Sequence, residues 1–159
     1  MIKPINDFVS RFHLSITLNK NLILKRENRF YIVDKNLKKL IPAEFLCAGI
    51  YLGKTQNGDF LPSFNLLRII AEKQANKVFI DRKTAWLFIC GRDIFKKGIL
   101  KAIGSKCKGD YTLVLNEYGE CLGFGKIETN LDNGKEEVAI KNILDIGDFL
   151  RRERQRKYR

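Results

Sequence analysis

The chain has 159 residues, with 30 Lys and Arg against 18 Asp and Glu and a formal net charge of +12. That length allows one ordinary domain or two small ones, and 45% hydrophobic residues with eleven Phe exclude wholesale disorder. No apolar run approaches the ~20 residues of a membrane span, and the start MIKPINDFVS lacks a signal-peptide core, so a cytoplasmic location and no membrane partner are expected.

Residues 4–14 carry Ile5, Phe8, Val9 and Phe12 at helical spacing, with Pro4 suited to a first turn. NLILKRENRFYIVD (21–34) reads as a hairpin turning at Glu27-Asn28. DKNLKKLIPAEFLC (34–47) predicts two short helical pieces, broken ahead of Pro42. Asn57-Gly58, set between Ile/Tyr/Leu and Phe/Leu runs, is the strongest hairpin signal in the chain. SFNLLRIIAEKQ (63–74) predicts a helix capped by Ser63, and KVFID (77–81) a strand.

The texture changes at DRKT (81–84). AWLFICG (85–91) reads as an apolar strand with Trp86 in the core, and RDIFKKGILKAIG (92–104) as a helical turn or two followed by extended chain. Two strands, 111–115 and 121–127, flank a turn at 116–120; Gly123 and Gly125 in the second mark a bulge, a barrel corner or a close backbone approach. A polar loop (130–136) leads to a last strand over 137–144. The fold class is therefore α+β, ending in a small partly closed β-barrel, with domains expected at 1–83 and 84–159.

The ending, FLRRERQRKYR (149–159), holds six Lys and Arg against Glu153. Asp145 stands where a helix N-cap belongs, with Asp148 three residues on, so the arginines are expected to be displayed from an anchored helix. Cys47, Cys90, Cys107 and Cys121 form no C-x-x-C pair, and His13 is the sole histidine. They are read as reduced, small hydrophobes, with no metal site and no cofactor expected.

Gly109-Asp110, YTLVL and LGFGKIE resemble a PUA domain, a small RNA-binding pseudo-barrel. LCAGIYLGK (46–54), FLPSFNLLRIIA (60–71), KVFIDRKTAWLFICGRDIF (77–95) and DIGDFLRRE (145–153) are similar to the Nip-seven family of large-subunit ribosome-biogenesis factors. The short tail resembles the archaeal type. The resemblance implies an N-terminal α/β domain for protein contacts, with mostly antiparallel sheet, and a PUA domain binding pre-ribosomal or U-rich single-stranded RNA. It implies no catalysis. The RNA surface implied for the family lies on the PUA domain and its basic C-terminal helix. Arg151 and Arg152 fall in the matching motif, while Arg154, Arg156 and Lys157 match loosely.

RNA requires cations for phosphates and flat faces for unpaired bases. Arg92, Lys96, Lys97 and Lys108, with Lys101 and Lys106 nearby, are candidates to extend the same face. Gly104 and Gly109 either bring backbone amides to phosphate or simply turn the chain. Lys35, Lys38 and Lys39 read as a solvated helix face. Enzyme readings lack parts: Gly91-Arg92-Asp93 misses the leucine of a pseudouridine-synthase Gly-Arg-Leu-Asp, Gly123-Phe124-Gly125 lies within a strand, and no P-loop is present. The expectation is an RNA-binding, monomeric ribosome-assembly protein whose partners are assembly factors or exosome-type subunits. The alternative is an accessory subunit of an RNA-modifying or RNA-degrading complex in which protein contacts dominate.

Overall fold

The computed structural model describes residues 2–14, 18–132, 138–148 and 151. The chain divides into two compact units between Glu72 and Lys73.

In the first unit, helix α1 (Lys3–Ser10) carries Pro4 where a missing N–H costs nothing, and it buries Ile5, Phe8 and Val9. Strands β1 (Ile23–Arg26) and β2 (Arg29–Ile32) form the expected hairpin. Helix α2 (Lys35–Leu40) follows its cap, Asp34. Strands β3 (Ile50–Gln56) and β4 (Asp59–Pro62) meet at Asn57 and Gly58, whose φ values of 52° and 86° suit a type I′ turn. The sheet runs β1-β2-β3-β4, antiparallel throughout. Helix α3 (Phe64–Ala71), capped by Ser63 as expected, packs on β3 and buries Leu66, Leu67 and Ile70. Phe60 of β4 lies 5.6 Å from the Phe8 ring and 5.9 Å from Phe30, joining α1 to the sheet. The second helical piece predicted before Cys47 is absent: residues 41–49 are irregular, with Gly49 turning at φ 63° against the Ile32 carbonyl.

The second unit comprises β5 (Lys77–Ile80), α4 (Arg82–Ile89), β6 (Ile94–Phe95), a 3-10 turn (Lys96–Gly98), β7 (Ile99–Ile103), β8 (Tyr111–Leu115), β9 (Cys121–Ile127) and β10 (Val138–Asp145). They form a curled half-barrel sheet ordered β6-β10-β9-β8-β5-β7, in which only β5 and β8 pair in parallel. Val78, Ile80, Phe88, Ile94, Val114, Ile127, Ala139 and Ile140 make its core. The paired glycines of β9 mark a close approach. A Cβ on Gly123 would sit 2.0 Å from the Leu144 carbonyl oxygen, and one on Gly125 2.4 Å from Ile140 Cγ2. The β9–β10 register shifts between Asn142 and Leu144, beside that contact.

Three sequence expectations are corrected here. The domain boundary falls before residue 77 rather than after 83, because β5 bonds to β7 and β8 in the second sheet. Residues 85–91 do not form a strand; Asp81 caps them into helix α4. Ile94 and Phe95 form a short strand instead of a helical turn.

Candidate nucleic-acid interface

Helix α4 is fixed at both ends. At its start, the Asp81 carboxylate accepts from the Thr84 N–H at 2.7 Å, and the Asp81 N–H donates to the Gly98 carbonyl at 3.0 Å. A Cβ on Gly98 would meet Thr84 Oγ1 at 2.0 Å, so only glycine lets the 3-10 turn lie this close to the helix. At its end, Asn142 Nδ2 donates to the Phe88 carbonyl at 2.9 Å and Arg151 Nη1 to the Ile89 carbonyl at 2.7 Å, satisfying carbonyls the helix leaves open. Between these anchors Phe88 is fully buried, a contribution of roughly 2–3 kcal/mol.

These contacts gather cations. Arg82 and Lys83, both exposed, occupy the first turn of α4, and Lys96 and Lys97 occupy the turn that Gly98 presses against it. Arg92, also exposed, follows the other end of the helix, its N–H donating to the Leu87 carbonyl at 3.0 Å. Residues 82–97 thus hold five cations and one carboxylate, Asp93. The sequence reading named Arg92, Lys96 and Lys97 and missed Arg82 and Lys83. The signal was present: an aspartate followed by a polar first turn is a helix start, and it puts both cations on a helix.

The remaining candidates stand elsewhere. The β5–β7 register pairs Ile80 with Ile99 and Lys77 with Ile103. Helix α4 and the loop carrying Lys108 therefore leave opposite ends of that pair, about 10 Å apart. Lys108 is exposed, its N–H donating to Asn130 Oδ1 at 2.8 Å. In the same loop Lys106 is paired with Asp132 at 2.8 Å. Lys101, on the edge strand β7, has its ammonium 5.9 Å from the Phe79 ring centroid. The glycines of this loop serve the backbone. Gly104 has φ 84° and abuts Asn76, and the Gly109 N–H donates to the Ile127 carbonyl at 2.7 Å.

The C-terminal expectation changes most. Asp145, expected at a helix N-cap, is the last residue of β10 and is buried. Its carboxylate takes both terminal nitrogens of Arg151, at 3.0 and 2.6 Å, and accepts from the Gly147 N–H at 2.8 Å and Asn142 Nδ2 at 3.1 Å. The hydrogen bonds to Asp145 push the Arg151 pKa above its already high value. Arg151 is thus anchored within the unit, with its side chain still 39% exposed. Arg152, Arg154, Arg156 and Lys157 lie outside the described residues.

Trp86, expected in the core, is 65% exposed on α4. Cys47, Cys90 and Cys107 are exposed as well, and only Cys121 is half-buried; all four are free thiols.

Residues 76–154 match the family model described as the UPF0113 PUA domain. The second unit is a PUA domain. The chain is 26% identical over 83 residues to a UPF0113 protein of Archaeoglobus fulgidus, a match spanning 50% of this chain and 47% of that relative. A solved PUA domain protein from Thermoplasma acidophilum covers 95% of the chain, and is itself covered to 92%, at TM-score 0.60 and 24% identity, so both units share its fold. A PUA domain from Aeropyrum pernix aligns over 62% of the chain and 59% of its own length, at TM-score 0.51 and 19% identity. PUA domains generally bind RNA.

Proposed function

We propose that this protein binds single-stranded, U-rich RNA of the large-subunit ribosomal precursor through its PUA domain, and that it acts in ribosome assembly without catalysis of its own. It works in the cytoplasm as a monomer. The observation carrying the reading is that the Gly98–Thr84 contact holds the turn bearing Lys96 and Lys97 to the helix bearing Arg82 and Lys83, on a fold that generally serves RNA. The ribosomal precursor as target rests on the Nip-seven resemblance of the sequence.

The test is fluorescence anisotropy with a labelled U-rich oligonucleotide across a salt series. Affinity falls as salt rises, with a log–log slope of roughly −0.7 per phosphate neutralised. Replacing Arg82, Lys83, Lys96 and Lys97 with Gln flattens that slope by about 0.7 for each engaged cation. An unchanged slope removes this surface from consideration. Crosslinking in cells with sequencing of the attached RNA then tests the target: precursor rRNA supports the assembly role, and its absence from the recovered RNA overturns it.

A second reading, an accessory subunit held mainly by protein contacts, is favoured by one feature of the first unit. Leu40 and Leu46, at 80% and 86% exposure, and Ile50 stand uncovered along one short stretch. Such apolar exposure suits a protein partner. Partners recovered from an extract after ribonuclease treatment support it, and loss of every partner rejects it.

A further inference from the structure

We propose that Trp86 is the platform on which an unpaired base of the bound strand stacks, with Arg82 and Lys83 at one end of its helix and Arg92 at the other holding the flanking phosphates. The proposal rests on the RNA reading above and names the residue that would tell an unpaired strand from a duplex.

Helix α4 has two faces. Phe88 is buried, Ala85 packs against the barrel core, and Thr84 abuts Gly98. At 3.6 residues per turn the opposite face is centred on Lys83, Trp86 and Cys90, flanked by Arg82 and Leu87, and all five are exposed. An indole is among the largest apolar groups a core can use. Here the only tryptophan of the chain faces solvent, two residues from a phenylalanine with no exposure at all. Burial therefore does not explain its position.

The surroundings identify the occupant. Residues three and four apart share a helix face, so Trp86 neighbours both Lys83 and Arg82. Helical side chains also lean towards the N-terminus, which carries the indole over the turn holding those cations. Arg92 follows within one turn of the helix end. The acids nearby point elsewhere: the Asp81 carboxylate caps the helix through the Thr84 N–H, and Asp93 Oδ1 accepts from the Asn142 N–H at 2.8 Å. A flat apolar ring between cations matches a polyanion with exposed bases, since stacking tolerates any base and phosphates engage the charges. Bases within a duplex are already stacked and offer the ring nothing.

A single tryptophan makes the test direct, because its emission reports on this site alone. The probes are a U-rich oligonucleotide, an abasic oligonucleotide of equal length and a duplex, each also followed by anisotropy. The expected result is quenched emission with the U-rich strand and little change with the abasic strand or the duplex. Trp86→Ala weakens binding of the U-rich strand about tenfold, leaves the abasic strand unaffected and leaves the thermal melt in place; Trp86→Phe recovers part of the loss. If the U-rich strand binds while emission and the Trp86→Ala affinity stay unchanged, the platform is refuted and the RNA reading survives. Equal quenching by the abasic strand also refutes stacking. If no oligonucleotide binds at moderate salt, the RNA reading falls and the platform with it; emission that then responds to an acidic protein partner reassigns the ring to protein docking.

Discussion

The Asp145 carboxylate and the Arg151 guanidinium meet in parallel, Oδ1 to Nη1 at 3.0 Å and Oδ2 to Nη2 at 2.6 Å, with Asp145 only 2% exposed. Removing the cation strands a buried carboxylate and frees the Ile89 carbonyl. Arg151→Ala is therefore expected to lower stability by about 2–3 kcal/mol, seen as an earlier denaturant midpoint with an unchanged slope. Arg151→Lys, which cannot reproduce the two-pronged contact, recovers only part. A midpoint unmoved by Arg151→Ala would mean the pair contributes nothing to the fold.

Gly98→Ala tests the contact between the 3-10 turn and α4. Its new methyl would lie 2.0 Å from Thr84 Oγ1 and 2.7 Å from Thr84 Cγ2, an overpacking that costs about 1–3 kcal/mol. Adding Thr84→Ala removes those two atoms and is expected to restore part of the midpoint. Simple additivity of the two changes would show that they do not meet.

Acid acts on the first unit through Asp34. Its carboxylate accepts from the Leu37 N–H at 2.9 Å and the Asn36 N–H at 2.7 Å, which holds its pKa below the ordinary 3.8. A carboxyl with a depressed folded pKa stabilises fully above its unfolded pKa, and loses that contribution as pH falls through the folded one. Helix α2 is expected to loosen at a pH below 3.8, followed by NMR of the Asn36 and Leu37 amides. Asp34→Asn keeps an accepting oxygen and removes that pH dependence.

Position separates the candidate lysines. Lys97 lies in the turn against α4, whereas Lys108 leaves the far end of the β5–β7 pair. Lys97→Gln is expected to reduce the salt slope of RNA binding by about 0.7, and Lys108→Gln to leave it unchanged. The reverse ranking would move the RNA track to the loop after β7.

Local turn chemistry was readable because it depends on few residues. Asn57-Gly58 needs only positive φ at two neighbours, and strands β8 and β9 announce themselves through Tyr111–Leu115 and the alternating glycines of Cys121–Ile127. Residues 85–91 were misread because a short apolar run has no period to distinguish a strand from a half-buried helix. The cap at Asp81 settles it, and that cap exposes Trp86. Asp145 misled for another reason. A carboxylate followed by Ile-Gly-Asp resembles a helix start, and its partners Asn142 and Arg151 are close in sequence, but both also bond the end of α4, more than fifty residues away, which no local window contains. The placing of the basic residues is likewise a product of contact: Gly98 against Thr84 holds the turn carrying Lys96 and Lys97 to the helix that carries Arg82 and Lys83.

Among the described residues, helix α4 is attached to its barrel from the inside and the ends: Asp81 and Thr84 at the start, Phe88 beneath, Asn142 and Arg151 at the finish. Its outward row, Arg82, Lys83 and Trp86, is exposed. That row can therefore change under selection while those attachments stay in place. In this sense the outward row is a replaceable face, and a related chain with different letters at 82, 83 and 86 would keep the attachments of α4 and present different chemistry to solvent.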